Sequence, residues 1–282
     1  MKKAFVLLSA CVMINSFLPA QAETESNETK QTENKTTQKQ NVKQDAKKEF
    51  VPTPLAESND TAAKDKEDKT YHFLDGISGT MALTTNYMFR GISQTENYPA
   101  VQGSLTYTSP IGIYLNLWGS NVKFEDTNAS VEIDTVVGYS NGIGENFTYD
   151  INYGRYNYPG ATNLEYNELN TLFNFYFLQA GISYSGNVYN SHKSGTYYNG
   201  GINYAIPPHY LFNIEDVTFQ ALIGHYSLPR AAGNSYNDYN VGLSKKLNKT
   251  YTVAGQWIST NGRAKNPPYD DSQIVGTVTA EF

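Results

Sequence analysis

The chain is nearly without cysteine: Cys11 is the single one in 282 residues. It also lacks any apolar run of the roughly 18–20 residues that a membrane-spanning helix needs. Charged residues make up only 17% of the chain and the net charge is −6, with no basic patch, which argues against a nucleic-acid partner. The four histidines show no metal-ligand spacing, and no glycine-rich phosphate loop follows a strand and opens a helix. No metal site and no cofactor is expected from these absences.

What is present falls into unlike segments. Lys2 and Lys3 precede a mostly apolar run over 4–18 and then Ala20-Gln21-Ala22. This is the layout of a secretory signal peptide over 1–22, with a mature chain starting near Glu23. Leu8-Ser9-Ala10-Cys11 resembles a lipobox, but a lipidated Cys11 leaves only about half of a usual apolar region. With Cys11 removed, disulfides, thiolate metal sites and cysteine nucleophiles are all excluded, as suits an exported protein. Residues 23–70 then hold nine Lys and eleven Asp or Glu among Thr, Asn and Gln. Such a segment buries too little surface to offset its ordering entropy, so it is expected to be a disordered periplasmic linker. A tail that binds peptidoglycan or a partner is the alternative.

All 23 tyrosines lie from Tyr71 onward, with Trp118 and Trp257. Rings in that number suit the two interfacial girdles of a membrane barrel; a Tyr-rich extracellular sandwich is the other reading. The mean hydropathy of −0.51 does not separate the two, because half of each barrel strand faces a polar lumen. Twelve alternating segments are expected as strands, near 77–90, 99–108, 112–120, 130–140, 147–157, 165–174, 177–186, 197–206, 216–226, 236–246, 250–259 and 273–282. Their connections alternate between longer polar loops and short turns. The turn near Phe175 is the least marked, and 207–215, with Pro207-Pro208, is the longest on its side. An even count with alternating loop lengths predicts an all-β fold: a transmembrane antiparallel up-and-down β-barrel over 71–282, with both ends in the periplasm.

In 274–282 the residues Ile274, Gly276, Val278, Ala280 and Phe282 share one face, and the pattern ends on an aromatic carboxylate. That form resembles the C-terminal strand by which outer-membrane barrels are recognised by their assembly machinery, so Phe282 is expected to be the assembly signal and this strand to close on the one near Ile77. Charges are costly on a lipid face, so Glu132, Asp134, Asp150 and Asp238 are assigned to the lumen together with Arg90. Met81, Leu83, Tyr87 and Phe89 are assigned outward, and Arg155 outward at a strand end within reach of lipid headgroups. Asn199, Asn203, Gln220, Asn240 and Gln256 extend the polar interior. Four acids against one base suggest a mildly cation-preferring lumen. The alternative is that these groups pair across a narrow interior and hold it closed.

Particular residues then carry a family resemblance. Asn86-Tyr87-Met88-Phe89-Arg90-Gly91-Ile92-Ser93-Gln94-Thr95, followed by Pro99-Ala100-Val101-Gln102-Gly103, resembles the opening of the TorF family of porins. Trp118-Gly119-Ser120-Asn121-Val122, Glu132-Ile133-Asp134, Gly138-Tyr139, Tyr149-Asp150, Tyr156-Asn157-Tyr158-Pro159-Gly160, Tyr166 and Glu168 continue it in order. The resemblance covers roughly 79–170 well and 171–282 loosely. It implies a bacterial outer-membrane barrel with pore activity for small hydrophilic solutes or ions, and it names no substrate.

Two other functional classes, a hydrolase and an adhesive surface protein, have less in the sequence to carry them. His225-Tyr226-Ser227 places His and Ser on one strand face, as in the outer-membrane phospholipase, but an active site also needs a group to orient the imidazole. No catalytic residue is assigned. His192-Lys193-Ser194 lies in a loop, and Glu125-Asp126 and Asp270-Asp271 are loop carboxylates. The outer loops, about 7–13 residues long with bends at Pro159-Gly160 and Pro267-Pro268, are short for an adhesive surface protein.

Overall fold

The computed structural model describes residues 73–144, 146–261, 269 and 271–282. The expected export signal over 1–22 with Cys11, the polar segment 23–70, and Pro267-Pro268 with Asp270 lie outside the described residues.

Short stretches rich in β-branched and aromatic residues, broken by Gly, Asn and Pro, form strands at nearly every position where alternation predicts them. They are β1 (Ile77–Thr84), β2 (Met88–Phe89), β3 (Ile92–Ser93), β4 (Ala100–Thr108), β5 (Ile113–Asn121), β6 (Val131–Ile143), β7 (Phe147–Asn157) and β8 (Tyr166–Phe175). The rest are β9 (Leu178–Ser185), β10 (Gly195–Ala205), β11 (Val217–Ser227), β12 (Tyr236–Lys246), β13 (Tyr251–Thr260) and β14 (Gln273–Glu281). Twelve of them, all but β2 and β3, form one closed antiparallel barrel in which each strand pairs with its sequence neighbours and β1 pairs with β14. Closure leaves no exposed strand edge.

The faces follow from the period of two. Leu83, Leu105, Leu115, Leu117, Val137, Ile223, Leu243 and Val278 all point outward and are exposed. A continuous apolar band of this kind, wrapped around a sheet with a polar inside, is the surface of a protein in contact with an apolar medium. Aromatic side chains gather near the short turns on the same outer face, among them Tyr139 beside Tyr149, with ring centroids 5.9 Å apart, and Phe147 beside Phe173 at 6.3 Å. The connection after β8 is a two-residue turn, Tyr176-Phe177, because Phe175 pairs directly with Leu178. Tyr176 takes a positive φ of 53° there, a conformation that usually announces itself by Gly or Asn, which is why the turn is faint in sequence.

The first strand is shorter than its alternation implies. It ends at Thr84, not at 90, and the chain then leaves the wall and folds inward as the β2–β3 hairpin. Tyr87 and Phe89, assigned outward from sequence, are instead buried, at 2% and 5% exposure. The cause is local: Arg90 and Gly91 have φ of 46° and 81°, the pair of positive φ values that a two-residue type I′ turn requires.

Closure ends on Phe282. Its backbone exchanges hydrogen bonds with Gly79, N–H to O at 3.0 Å and the reverse at 2.7 Å. Its ring lies over Gly79, where an added Cβ would come within 2.5 Å of the ring. Gly79→Val is therefore expected to displace the ring and to cost about 1–3 kcal/mol, the usual penalty for overpacking. A lowered urea midpoint of the compact, fast-migrating band in unheated gels checks it.

Candidate functional site in the barrel lumen

The inward hairpin, 85–98, organises the lumen. Its own polar groups hold it: Ser93 donates to Asn86 Oδ1 at 2.6 Å, Asn86 Nδ2 to Asn97 Oδ1 at 2.9 Å, and Gln94 N–H to the Tyr87 carbonyl at 2.7 Å. Two backbone bonds tie it to the neighbouring long loops, Lys123 N–H to Gln94 O at 2.9 Å and Ser93 N–H to Tyr269 O at 2.9 Å. Outside the barrel wall, Lys123 pairs with Glu96 at 2.6 Å. The hydrogen bond to Glu96 holds the Lys123 ammonium above its ordinary range.

From there the segment crosses the lumen. Tyr87 O–H donates to Glu132 Oε2 on β6 at 3.0 Å, and its ring meets Trp118 of β5 edge-on at 5.5 Å. At the hairpin tip the Arg90 guanidinium makes two parallel bonds to Glu168 on β8, of 3.0 and 2.8 Å. The same guanidinium carbon lies 4.5 Å from the Phe89 ring centre, 4.2 Å from that of Tyr197 on β10 and 4.6 Å from that of Tyr226 on β11. Gly91 then comes against β12 and β13, where a Cβ would stand 2.9 Å from Asp238 Cβ and 2.7 Å from Thr260 Cγ2. Glycine is thus required twice at that position, by its φ and by the close approach of the wall.

Of the acids expected in the lumen, Glu132, Asp134 and Asp238 are buried on strands of the closed wall and Asp150 is half-buried. Glu132 also accepts from Tyr158 O–H at 2.6 Å. Asp238 accepts from Tyr197 O–H at 3.1 Å. Asp150, nearer the short-turn end, accepts from Tyr114 O–H at 3.1 Å and Asn152 Nδ2 at 2.7 Å. Asp134 is buried on β6. Arg90 is in the lumen, but on the hairpin and not on the wall. Glu168 was not singled out with them, although it shares its inward phase with Tyr166 and Asn170 and the lipid-cost argument applies to it equally.

The tyrosines divide between two places. Tyr153, Tyr184, Tyr198 and Tyr251 are exposed on the outer face, as girdle residues should be. Tyr156, Tyr158, Tyr166, Tyr197, Tyr226 and Tyr236 are instead buried inside, around the hairpin. Ile92, Val188, Leu228 and Ala232 pack with Tyr197, Tyr226 and Tyr236 into a core at the long-loop end. This half of the lumen is filled. The short-turn half is lined by partly exposed polar pairs, Asn116 to Thr106 at 2.7 Å, Asn174 to Thr148 at 3.2 Å and Gln256 to Asn240 at 3.4 Å.

On the outer face, His225 Nδ1 lies 2.7 Å from Asn237 Oδ1, which supplies the orienting partner that the His-Ser pattern lacked. Ser227 is exposed two residues on, but among the described hydrogen bonds none joins it to His225. Arg155 is bound by Glu165 at 2.6 Å instead of being left for a lipid phosphate. Among the described residues no three of His, Cys, Asp and Glu are grouped to hold a metal ion.

A family model described as "Bacterial protein of unknown function (Gcw_chp)" matches residues 73–281. No curated protein matches the chain. Among solved structures, a KdgM porin in complex with disordered oligogalacturonate aligns with TM-score 0.47 at 11% identity, over 73% of this chain and 97% of that one. A NanC porin aligns with TM-score 0.47 at 11% identity, over 73% and 98%. The outer membrane protein OprD from Pseudomonas aeruginosa aligns with TM-score 0.34 at 10% identity, over 74% and 65%.

The side chains of Arg90 and Glu168 are 5% and 1% exposed, so removing one charge leaves the other buried and unpaired. Glu168→Gln is expected to destabilise the barrel by about 3–5 kcal/mol. The double variant Arg90→Met/Glu168→Gln is expected to lose less than the single one. Urea titration of the compact band on unheated gels measures both.

Proposed function

The chain belongs to the Gcw_chp family of bacterial proteins of unknown function, and on that premise we propose that it is an outer-membrane pore for small hydrophilic solutes or ions. One observation carries the reading: a closed twelve-stranded barrel presents an apolar outside, while its inside carries wall carboxylates and, in the short-turn half, partly exposed polar pairs. A purely structural barrel has no need of five inward carboxylates, since burying each is unfavourable. The TorF-like residues spanning roughly 79–170 fit the same role, and they include the hairpin.

In this reading the short turns face the periplasm, the long loops face outward, and the hairpin constricts the outer mouth. Glu132, Asp134, Asp150, Glu168 and Asp238 outnumber Arg90 within the lumen, so small cations pass in preference to anions. Phe282 and β14 serve delivery to the assembly machinery. A second reading, a closed surface barrel, draws on the packed long-loop half. The lipid-hydrolase reading draws on the His225–Asn237 bond but lacks a bond from Ser227 to His225.

Planar-bilayer recording tests the proposal. Wild-type barrel is expected to give small conductance steps whose reversal potential in a KCl gradient shows cation preference. Replacing 86–97 by a short Gly-Ser linker is expected to raise the conductance several-fold. Compactly folded protein that conducts in neither form, or that prefers anions, would overturn it.

A further inference from the structure

Five carboxylates enter the lumen from the wall, and four of them have protein donors. Glu132 is held by two phenols, Glu168 by the Arg90 fork, Asp238 by Tyr197, and Asp150 by Tyr114 and Asn152. Asp134 differs. Its side chain is buried, at 1% exposure, and neither of its oxygens receives a hydrogen bond. Arg90 of the hairpin has both arms of its guanidinium on Glu168.

Beside Asp134 the buried Trp118 Nε1 is itself without an acceptor, so it is not hydrogen-bonded to the carboxylate. Across the sheet Asp134 faces Trp118 on β5 and Tyr156 on β7. Tyr156 in turn takes a bond from Asn170 Nδ2 at 3.3 Å. Asn170 is 3% exposed, and its Oδ1 has no donor either. Two buried side chains flanking one tyrosine thus present three acceptor oxygens to which the protein supplies no hydrogen. The carboxylates of Glu132 and Glu168 are close enough to act on Asp134 electrostatically. An anion is therefore repelled there, and a group that brings positive charge is drawn in. Among the described residues no third carboxylate or imidazole is placed to complete a divalent-metal set.

We propose that Asp134, with Asn170 beside Tyr156, binds a small monovalent cation, an alkali ion or a primary ammonium, inside the lumen next to the Arg90–Glu168 pair. The site rests on the lumen being reached by solutes, as the pore reading holds, but its binding is an equilibrium property that needs no current to flow. A carboxylate with two unmet oxygens pairs best with a compact charge that sheds part of its water. A bulky quaternary ammonium has no N–H to give the carboxylate and cannot bring its charge as close as a compact ion does.

Trp118 supplies the readout. The chain has two tryptophans, and Trp257 lies on the outer face, so Trp257→Phe leaves Trp118 as the reporter beside Asp134. Thallous ion, close to potassium in size and a heavy-atom quencher of indole, is titrated as its acetate into the detergent-solubilised barrel. Quenching is expected to saturate, to be reversed by potassium or methylammonium acetate, and to be untouched by tetramethylammonium acetate. Asp134→Asn is expected to abolish the saturable part, and Asn170→Ala to shift half-saturation to higher thallium, each in protein verified as compact on unheated gels. Quenching that rises linearly in the Trp257→Phe protein, or competes equally with tetramethylammonium, shows that water or a proton satisfies Asp134 and overturns the site. A silent bilayer with saturable quenching would sink the pore and leave the site standing.

Discussion

Both oxygens of Glu168 meet both arms of Arg90, and on this one bidentate contact the interior of the barrel depends. A guanidinium in a closed sheet is tolerable only where its charge is neutralised and its donors are used. Glu168 does the first, and the faces of Phe89, Tyr197 and Tyr226 cover what the fork leaves exposed. The pair also fixes position, since a fork of two parallel bonds has one geometry. The hairpin tip is set by it, and with the tip come Tyr87 on Glu132 and Gly91 against Asp238 and Thr260. Arg90 reaches this place through a positive φ that an arginine adopts reluctantly, local strain offset by the contacts it permits.

Inside the lumen the working donor is the phenol. Tyr87, Tyr158, Tyr197 and Tyr114 each give one O–H to a carboxylate while their rings fill space that polar side chains would leave open. That double service explains a tyrosine content larger than two interfacial belts require. It also leaves the interior with five carboxyl groups against the single guanidinium of Arg90 among the described residues, because a phenol satisfies a carboxyl group without pairing its charge.

Much of this was legible in sequence where the physics is local. Period-two alternation and loop lengths placed all twelve barrel strands, and of the acids sent inward by the cost of a charge on lipid, Glu132, Asp134 and Asp238 are buried and Asp150 half-buried. The hairpin was not legible, because Tyr87 and Phe89 continue the alternation of β1 past Thr84 without a break. Arg90-Gly91 between Phe89 and Ile92 was the one sign of a turn, and Arg is not a residue that turns of this type favour. The partner of Arg90 lies 78 residues away, joined through space by the curvature of the sheet, which no local pattern encodes. Glu168 was readable by the same lipid-face rule as the other acids and was passed over only as one tag of a longer motif.

The hairpin's position has a consequence for how the protein is made. It is tethered early in the chain, between β1 and β4, yet its tip touches β8, β10, β11, β12 and β13. A packed tyrosine interior gives no route for threading it in afterwards. The wall therefore has to be wound around the hairpin, which acts as a mandrel, before β14 meets β1 and seals the cylinder. Its contacts are long in sequence and slow to form, so the step that fills the interior and the step that closes the sheet fall together, and the finished barrel emerges with the hairpin already inside.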